Sequence, residues 1–311
     1  MNKKYIYITI FLIIPLVIFS LIGCSSKYPI QPKSDIKGKF VFYSLRDMED
    51  FWSGYILKHR KITLLEKNVA CLRWSPDGGF IAYKTKDGIT IFSMITKEKE
   101  RITVLSRVEC LAWSPDGKGI IYTTEDGIYK NAHTRFFRYS IQTKEHKLIK
   151  DFEIGHNALE LSISKDGKIL FYDGLDNNAI FIMDINGENL KLMRKRAMDS
   201  SWFPDGKHIG FFTNIGKDGK LINDKQGVYF KMNIETGETT PIRELTSSDW
   251  QRKISRDGKY LYYSKSYGKD GRYIVVSPLE KPDIEIPITK PVEMRPNNYS
   301  QDLDADWYQG N

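Results

Sequence analysis

The stretch Trp74-Ser75-Pro76-Asp77-Gly78 occurs a second time, unchanged, as Trp113-Ser114-Pro115-Asp116-Gly117. Three degenerate copies follow, and a last trace lies near the end of the sequence; they begin at Ile163, Trp202, Ile254 and Asp306. A unit of about 40 residues that recurs along a chain is the signature of a repeat architecture. The spacing between copies varies, which indicates constant strands joined by loops of different length.

One repeat, residues 70–105, reads as four short β-strands. The predicted strands cover residues 71–74, 80–84, 89–94 and 101–105, and they are rich in β-branched and aromatic residues. The Ser-Pro-Asp-Gly sequence between the first two strands predicts a β-turn, because proline presets φ and glycine accepts a positive φ. Four antiparallel strands in about 40 residues make one blade of a β-propeller.

The motif residues have roles that folding alone explains. We expect the tryptophans to pack between blades; they are Trp74, Trp113, Trp202 and Trp307. We expect the aspartates to accept hydrogen bonds from backbone N–H groups, as aspartate commonly does in turns; they are Asp77, Asp116 and Asp205. No motif residue is assigned to catalysis.

The copies predict five complete blades, which begin at about residues 70, 109, 159, 198 and 250. A sixth blade is split, because residues 39–44 resemble a second strand with no first strand before it. The missing strand lies at residues 304–308, and pairing the two ends closes the ring without an open sheet edge. The predicted fold is therefore all-β: a six-bladed β-propeller of four-stranded antiparallel blades over residues 38–311.

The repeated Trp-Ser-Pro-Asp-Gly motif, followed by a β-rich strand and an Asp-Gly turn, resembles the propeller domain of the TolB family. The resemblance covers residues 38–311. It implies the propeller fold and a place at the cell envelope. TolB proteins carry a further N-terminal domain, whereas here only a short tether precedes the first predicted blade. Partner recognition through such a domain is not expected.

The N-terminus reads as an export signal. A basic start at Lys3 and Lys4 is followed by an apolar run, residues 5–21, and then by Leu21-Ile22-Gly23-Cys24-Ser25. This ending resembles a bacterial lipobox, which implies cleavage before Cys24 and lipidation of that residue. The alternative is an uncleaved transmembrane anchor, since the apolar run is nearly long enough to span a bilayer.

The predicted domains are therefore a lipoprotein signal peptide (residues 1–23), the lipidated Cys24 with a flexible tether (residues 24–37), and the propeller. The expected location is the bacterial cell envelope. The protein would face the periplasm from the outer membrane, or lie on the extracytoplasmic face of the plasma membrane. In bacterial lipoproteins a serine after the lipidated cysteine is typical of sorting to the outer membrane. Ser25 fits that destination if the cell has an outer membrane.

The two other cysteines, Cys71 and Cys110, each lie three residues before the tryptophan of their blade. Equivalent side chains in neighbouring sheets point the same way. Stacked sheets lie about 10 Å apart, whereas a disulfide needs Cα atoms within about 7 Å. We therefore expect two buried free thiols.

The formal charge of the chain is +8, and the dense basic run is residues 191–196. That run is either a solvated loop or a contact for an acidic protein, anionic lipid headgroups or an anionic glycan. Nucleic acid is not an expected partner for an exported chain. We expect a monomer.

Sequence motifs of catalysis are absent: there is no His-Glu-x-x-His, Gly-x-Ser-x-Gly, P-loop or Cys-x-x-Cys. The five histidines are isolated in sequence, although a propeller can bring ligands together from different blades. Residues 173–178 have calcium-friendly side chains without the spacing of a calcium loop, so they read as a turn. No cofactor and no metal site are predicted, and an inter-blade metal site remains open.

The variable loops place the candidate binding residues. Loops between the second and third strands, at about residues 45–53 and 124–135 among others, carry Trp52, His133 and Arg135; connections between blades carry His156, Arg194, Lys195, Arg196 and Trp250. Successive turns of a meander alternate faces, so these two sets should share one face, opposite the Ser-Pro-Asp-Gly turns. Aromatic and arginine side chains are enriched at binding hot spots.

Two functions remain after this reading. The leading one is a lipid-anchored, non-enzymatic scaffold that engages an envelope protein or a cell-wall glycan through the loop-rich face. The alternative is a polysaccharide hydrolase or lyase with its site at the mouth of the central channel. Three or more convergent His, Asp or Glu side chains there would favour the enzyme, whereas mixed aromatics and arginines would favour binding.

Overall fold

The computed structural model describes residues 36–46, 52–126, 133–152, 158–174, 178–216, 220–222, 226–267, 271–290, 293–295, 298–299 and 301–310. These belong to one compact unit, residues 34–311. Twenty-six β-strands are present in the described residues, and no helix is. No part of the described chain offers a helix that could span a bilayer. The predicted signal peptide and Cys24 lie outside the described residues.

Six four-stranded antiparallel sheets form the blades of the propeller. Blade 1 is split as predicted: its inner strand comes from the C-terminal end of the chain, and the next three come from the N-terminal side. In order from the axis outward its strands are β26 (Asp302–Tyr308), β1 (Lys39–Ser44), β2 (Ser53–Lys58) and β3 (Lys61–Lys67). The pairing of β26 with β1 closes the ring.

Each of the other five blades is a simple meander. Blade 2 contains β4 (Ala70–Trp74), β5 (Phe80–Thr85), β6 (Gly88–Ser93) and β7 (Lys99–Thr103). Blade 3 contains β8 (Arg107–Trp113), β9 (Gly119–Asp126), β10 (His133–Ser140) and β11 (His146–Phe152). Blade 4 contains β12 (Ala158–Ile163), β13 (Lys168–Asp173), β14 (Ala179–Asp184) and β15 (Lys191–Arg194).

The last two blades follow the same plan. Blade 5 contains β16 (Met198–Trp202), β17 (His208–Thr213), β18 (Gln226–Asn233) and β19 (Thr239–Thr246). Blade 6 contains β20 (Trp250–Ile254), β21 (Tyr260–Tyr267), β22 (Gly271–Pro278) and the very short β23 (Ile286–Pro287). A small hairpin, which the sequence did not predict, leads back to β26; it is β24 (Glu293–Arg295) with β25 (Asn298–Tyr299).

The hydrophobic core is divided into six clusters, and each lies between two neighbouring blades. The motif tryptophans belong to these clusters. Trp74 and Trp307 are only 1% exposed, and the indole of Trp307 stacks on Phe40 with ring centroids 5.0 Å apart. Trp113 donates a hydrogen bond from Nε1 to the carbonyl of Arg73 in the preceding blade. Inter-blade burial therefore holds the ring together.

The motif turns are fixed by their aspartate, serine and glycine. Asp77 accepts a hydrogen bond from Gly79 N at 3.0 Å, and Asp116 accepts one from Lys118 N at the same distance. The hydroxyl of a nearby serine and these N–H groups lower the pKa of both carboxyls. Gly78 has a φ of +68°, and a Cβ there would meet the ring of Tyr308 at 2.3 Å. Glycine is thus required at this turn.

Candidate functional site: the loop face and the central channel

The two faces of the propeller are distinguished by the connections that hydrogen-bond to one another. Connections between blades bond to loops between second and third strands, as when Val69 N donates to Trp52 O at 3.2 Å. First-to-second turns bond instead to third-to-fourth turns, as when Met94 N donates to Gly79 O at 2.8 Å. We call the first side the loop face and the second the turn face. This is the alternation of faces expected from the meander.

The basic segment Arg194 to Arg196 lies on the loop face. The carbonyl of Arg196 accepts a 2.6 Å hydrogen bond from the hydroxyl of Thr213, which ends the second strand of blade 5. Arg194 is partly buried, with its guanidinium 5.8 Å from the ring centroid of Phe211. Lys195 and Arg196 are exposed. Arg194 ends β15, however, so only the other two lie in the connection itself.

Of the two tryptophans predicted to be in loops of this face, Trp52 is in a loop, whereas Trp250 belongs to a strand. Trp52 immediately precedes β2, is partly buried, and meets Tyr43 edge to face with centroids 5.0 Å apart. Trp250 is the first residue of β20 and is 46% exposed. The guanidinium of Arg272 lies 3.7 Å from its ring centroid, so this pair presents an aromatic surface with an adjoining cation.

The prediction that His133 and Arg135 lie in a loop is wrong. Both belong to β10, because the β9–β10 hairpin continues further than expected, with Asp126 paired to His133. Arg135 forms ion pairs with Asp126 and Asp151, and His133 contacts Asp151 as well. These side chains are engaged within blade 3. The last candidate, His156, lies outside the described residues.

Most residues that line the central channel come from the inner strand of each blade or from the turn that follows it. All six inner strands carry a β-bulge, an extra residue that interrupts their pairing with the second strand. Four residues at one equivalent position, three before the motif tryptophan or isoleucine, have a left-handed backbone with φ between 49° and 56°. They are Cys71, Asp199, Gln251 and Asp304. Bulges redirect side chains, and three of these four residues, Cys71, Gln251 and Asp304, line the channel cavity.

Asp304 joins three blades electrostatically. Its carboxylate accepts hydrogen bonds from Arg73 Nη1 of blade 2 at 2.9 Å and from Lys253 Nζ of blade 6 at 2.6 Å. Burial alone would raise the pKa of Asp304, but the two cations outweigh it and hold the pKa below its usual value. The backbone N–H of Asp304 also donates to Gln251 Oε1. One carboxylate therefore faces two cations.

A pair of carboxyl groups lies in the wall formed by blades 4 and 5. Burial raises the pKa of Glu160 well above its usual value, and the neighbouring Asp199, to which it hydrogen-bonds, raises it further. Glu160 also accepts a hydrogen bond from Ser200 N at 3.2 Å. Asp199 is paired in turn with the buried Arg252. The arrangement favours a proton on Glu160.

The channel holds a cavity of about 720 Å³. Its lining includes residues of all six blades, from the turn-face proline Pro76 to Tyr43 and Glu160. Within the described part of the chain, no group of three or more His, Cys, Asp or Glu side chains is placed to hold a metal ion. The lining is instead a mixture of cationic, acidic, hydroxyl and aromatic side chains.

Cys71 and Cys110 are both free thiols, as predicted. Cys110 is buried and Cys71 is partly buried. The thiol of Cys71 donates to the carbonyl of Glu109, the residue before Cys110, at 3.3 Å.

Sequence reasoning missed the charged channel residues altogether. They stand one and three positions before the motif residue that ends each inner strand, as with Arg73, Lys253 and Asp304. The first strand of each repeat is the innermost strand of its blade. Polar residues at these two positions are therefore the sequence signal that could have identified the channel residues. A strict alternation of inward and outward side chains would still have misplaced some of them, because each strand is bulged.

Comparison with known proteins identifies the fold. No family model matches the sequence, and no curated protein does. TolB from Acinetobacter baumannii superposes with a TM-score of 0.68 at 15% identity, over 89% of this chain and 68% of that one. A putative TolB from Agrobacterium tumefaciens superposes with a TM-score of 0.57 at 12% identity, over 88% of this chain and 99% of that one.

An oligogalacturonate lyase in complex with manganese is also similar, with a TM-score of 0.60 at 14% identity, over 80% of this chain and 73% of that one. Identities this low establish the shared fold and nothing further about activity. The chain has a TolB-like six-bladed β-propeller fold.

Proposed function

We propose that the protein is a lipid-anchored scaffold of the bacterial cell envelope that binds a protein or cell-wall glycan through its loop face. The lipobox-like sequence ending in Cys24 supports the anchor. The observation that carries the binding function is a surface on the loop face of blades 4 and 5, which we call the basic–apolar patch. It comprises Lys195, Arg196, Met198, Leu221 and Ile222.

The patch is continuous along the backbone. The hydroxyl of Thr213 bonds to the carbonyl of Arg196 and accepts from Ile215 N at 3.1 Å, and Ile222 N donates to Asn214 O at 2.7 Å. These bonds tie the hairpin after β17 to the connection that bears the two cations. Leu221 and Ile222 are 52% and 47% exposed. Exposed aliphatic groups beside cations suit a partner with apolar and acidic groups.

The exposed Trp250, stacked with Arg272, adds a second binding element on the next blade. Tryptophan and arginine are the residues most often found at the energetic centres of interfaces. The loops lie on a rigid scaffold, and binding residues are found disproportionately on loops that a rigid scaffold positions.

The test is a pull-down from envelope extract with the propeller as bait. The double charge reversal Lys195→Glu/Arg196→Glu should weaken capture of an anionic partner at low salt, and the difference should shrink as salt rises, because exposed charges are screened beyond about 10 Å at 0.1 M. Lys118→Glu/Lys207→Glu is the matched control, since both lysines are exposed on the turn face. Equal capture by both variants would refute the assignment of the binding face.

The second candidate is a polysaccharide hydrolase or lyase, which the Glu160–Asp199 pair beside a channel cavity favours. A carboxyl group whose pKa is raised, as that of Glu160 is, can act as the general acid of glycoside cleavage. Incubation with acidic and neutral polysaccharides, followed by detection of reducing ends and of unsaturated sugars, tests this function. Glu160→Gln should abolish any turnover, and turnover that survives the change would exclude this pair as the site.

A further inference from the structure

We propose that the central channel is a binding site for a small organic molecule that carries a carboxylate and hydroxyl groups. The site is separate from the loop face and independent of the proposed scaffold function. The cavity volume of about 720 Å³ lies within the range of small-molecule pockets, roughly 300–1,000 Å³. It is far larger than a single inorganic ion requires.

The charge of the lining favours an anion. Six cationic side chains line the cavity, and four acidic ones do; the cations are Arg73, Lys84, Lys165, Arg252, Lys253 and Arg256, and the acids are Glu109, Glu160, Asp304 and Asp306. Arg252 is neutralised by Asp199, and the raised pKa of Glu160 removes one negative charge. An excess of positive charge remains in a site walled by protein.

Arg73 is the group best placed to bind a carboxylate. Its Nη1 donates to Asp304 and to the carbonyl of Leu72, both at 2.9 Å. Within the described part of the chain, its Nη2 and Nε have no acceptor, although the side chain is only 14% exposed. The single carboxylate of Asp304 is shared with Lys253, so it leaves both cations partly uncompensated. A planar guanidinium with free N–H groups matches a carboxylate.

Hydroxyl groups supply the remaining polar contacts. Tyr43 accepts a hydrogen bond from Gln251 Nε2 at 3.3 Å, and its own proton stays available because burial raises the pKa of the phenol. Ser200 lines the same cavity, is 7% exposed, and its Oγ has no partner among the described residues. A buried hydroxyl without a partner is costly, so a ligand hydroxyl that bonds to Ser200 would stabilise the complex.

The experiment compares gluconate with sorbitol on the full chain purified in detergent, by calorimetry and thermal shift. The two probes share a hydroxylated six-carbon chain and differ in the carboxylate. We expect gluconate to bind and sorbitol not to bind. Arg73→Gln should weaken gluconate binding by about 10- to 100-fold, as loss of a charged hydrogen bond does. Tyr43→Phe should weaken it by about 2- to 10-fold.

Controls separate binding from folding. Lys118→Gln, on the turn face, should bind as the wild type does. If Arg73→Gln fails to fold, Tyr43→Phe carries the test, because it removes one hydroxyl and keeps the ring. Equal binding of the two probes, no binding of gluconate at millimolar concentration, or unchanged binding by folded Arg73→Gln and Tyr43→Phe would overturn the proposal. Inorganic phosphate that binds as tightly as gluconate would also overturn it, by showing a general anion site.

Discussion

Replacement of Asp304 by asparagine should destabilise the whole ring, because this carboxylate links blades 1, 2 and 6. The change leaves Arg73 and Lys253 without the carboxylate with which both form ion pairs, at 14% and 20% side-chain exposure. Removing one member of a buried ion pair costs about 3–5 kcal/mol. The residual exposure of both cations places the expected loss at the lower end, about 3 kcal/mol.

The corresponding shift in melting temperature follows from the size of the domain. Unfolding entropy of about 2.1 cal/mol/K per residue, over residues 34–311, gives roughly 2 °C for each kcal/mol. Asp304→Asn should therefore lower the melting temperature by about 6 °C at neutral pH, measured by calorimetry or circular dichroism. Asp77→Asn makes the same chemical change in an exposed turn and should shift it by less than about 1 °C.

The pH dependence provides an internal check. The pKa of Asp304 is lower in the folded state than in the unfolded state. The contribution of its carboxylate to stability is therefore complete above the unfolded-state pKa of about 3.9, and it is lost as pH falls through the folded-state pKa. The difference in melting temperature between the wild type and Asp304→Asn should stay constant from neutral pH to about pH 5, and it should disappear only in stronger acid. An unchanged melting temperature at neutral pH would refute the reasoning that this carboxylate secures the ring.

Three further predictions follow from the structure. Trp307→Ala should lower the free energy of unfolding by about 3–5 kcal/mol, because the indole is 1% exposed at the ring closure. Trp250→Ala on the loop face should lower it by under about 1 kcal/mol. Denaturant titration of both variants measures the two changes. Cys24→Ala should leave the N-terminus unprocessed, and mass spectrometry of the membrane fraction should find a lipid-modified N-terminal Cys24 in the wild type alone. Glu160→Gln should raise the melting temperature, and the gain should grow as pH rises above about 4.3, because a carboxyl whose folded-state pKa is raised costs stability from its unfolded-state pKa upward. A gain confined to acid pH would contradict the raised pKa of Glu160.

The repeat made the blade count and the ring closure predictable from sequence. Each Ser-Pro-Asp-Gly turn marks the connection between an inner strand and the strand beside it, so the copies locate the blades directly. Residues 304–308 were predicted as the missing strand, and β26 spans Asp302–Tyr308. Local turn chemistry is strong enough to survive in degenerate copies, which is why these features needed no tertiary information.

The extent of the long hairpins and the chemistry of the channel were not predictable in the same way. His133 and Arg135 belong to a strand because pairing with β9 continues to Asp126, and such pairing depends on a partner strand rather than on local sequence. The pairing of Arg73 with Asp304 joins residues 231 positions apart. Only the closed ring brings those positions together.

The six bulged positions have a consequence for how this fold can change its chemistry. Each blade contributes several channel side chains, most of them from its bulged inner strand or from the turn that follows it. A substitution at such a position changes the channel wall and also the contacts with neighbouring blades, as the bonds from Asp304 to Arg73 and Lys253 illustrate. In this ring, a change in the chemistry of the channel wall is therefore also a change in how the blades are held to one another.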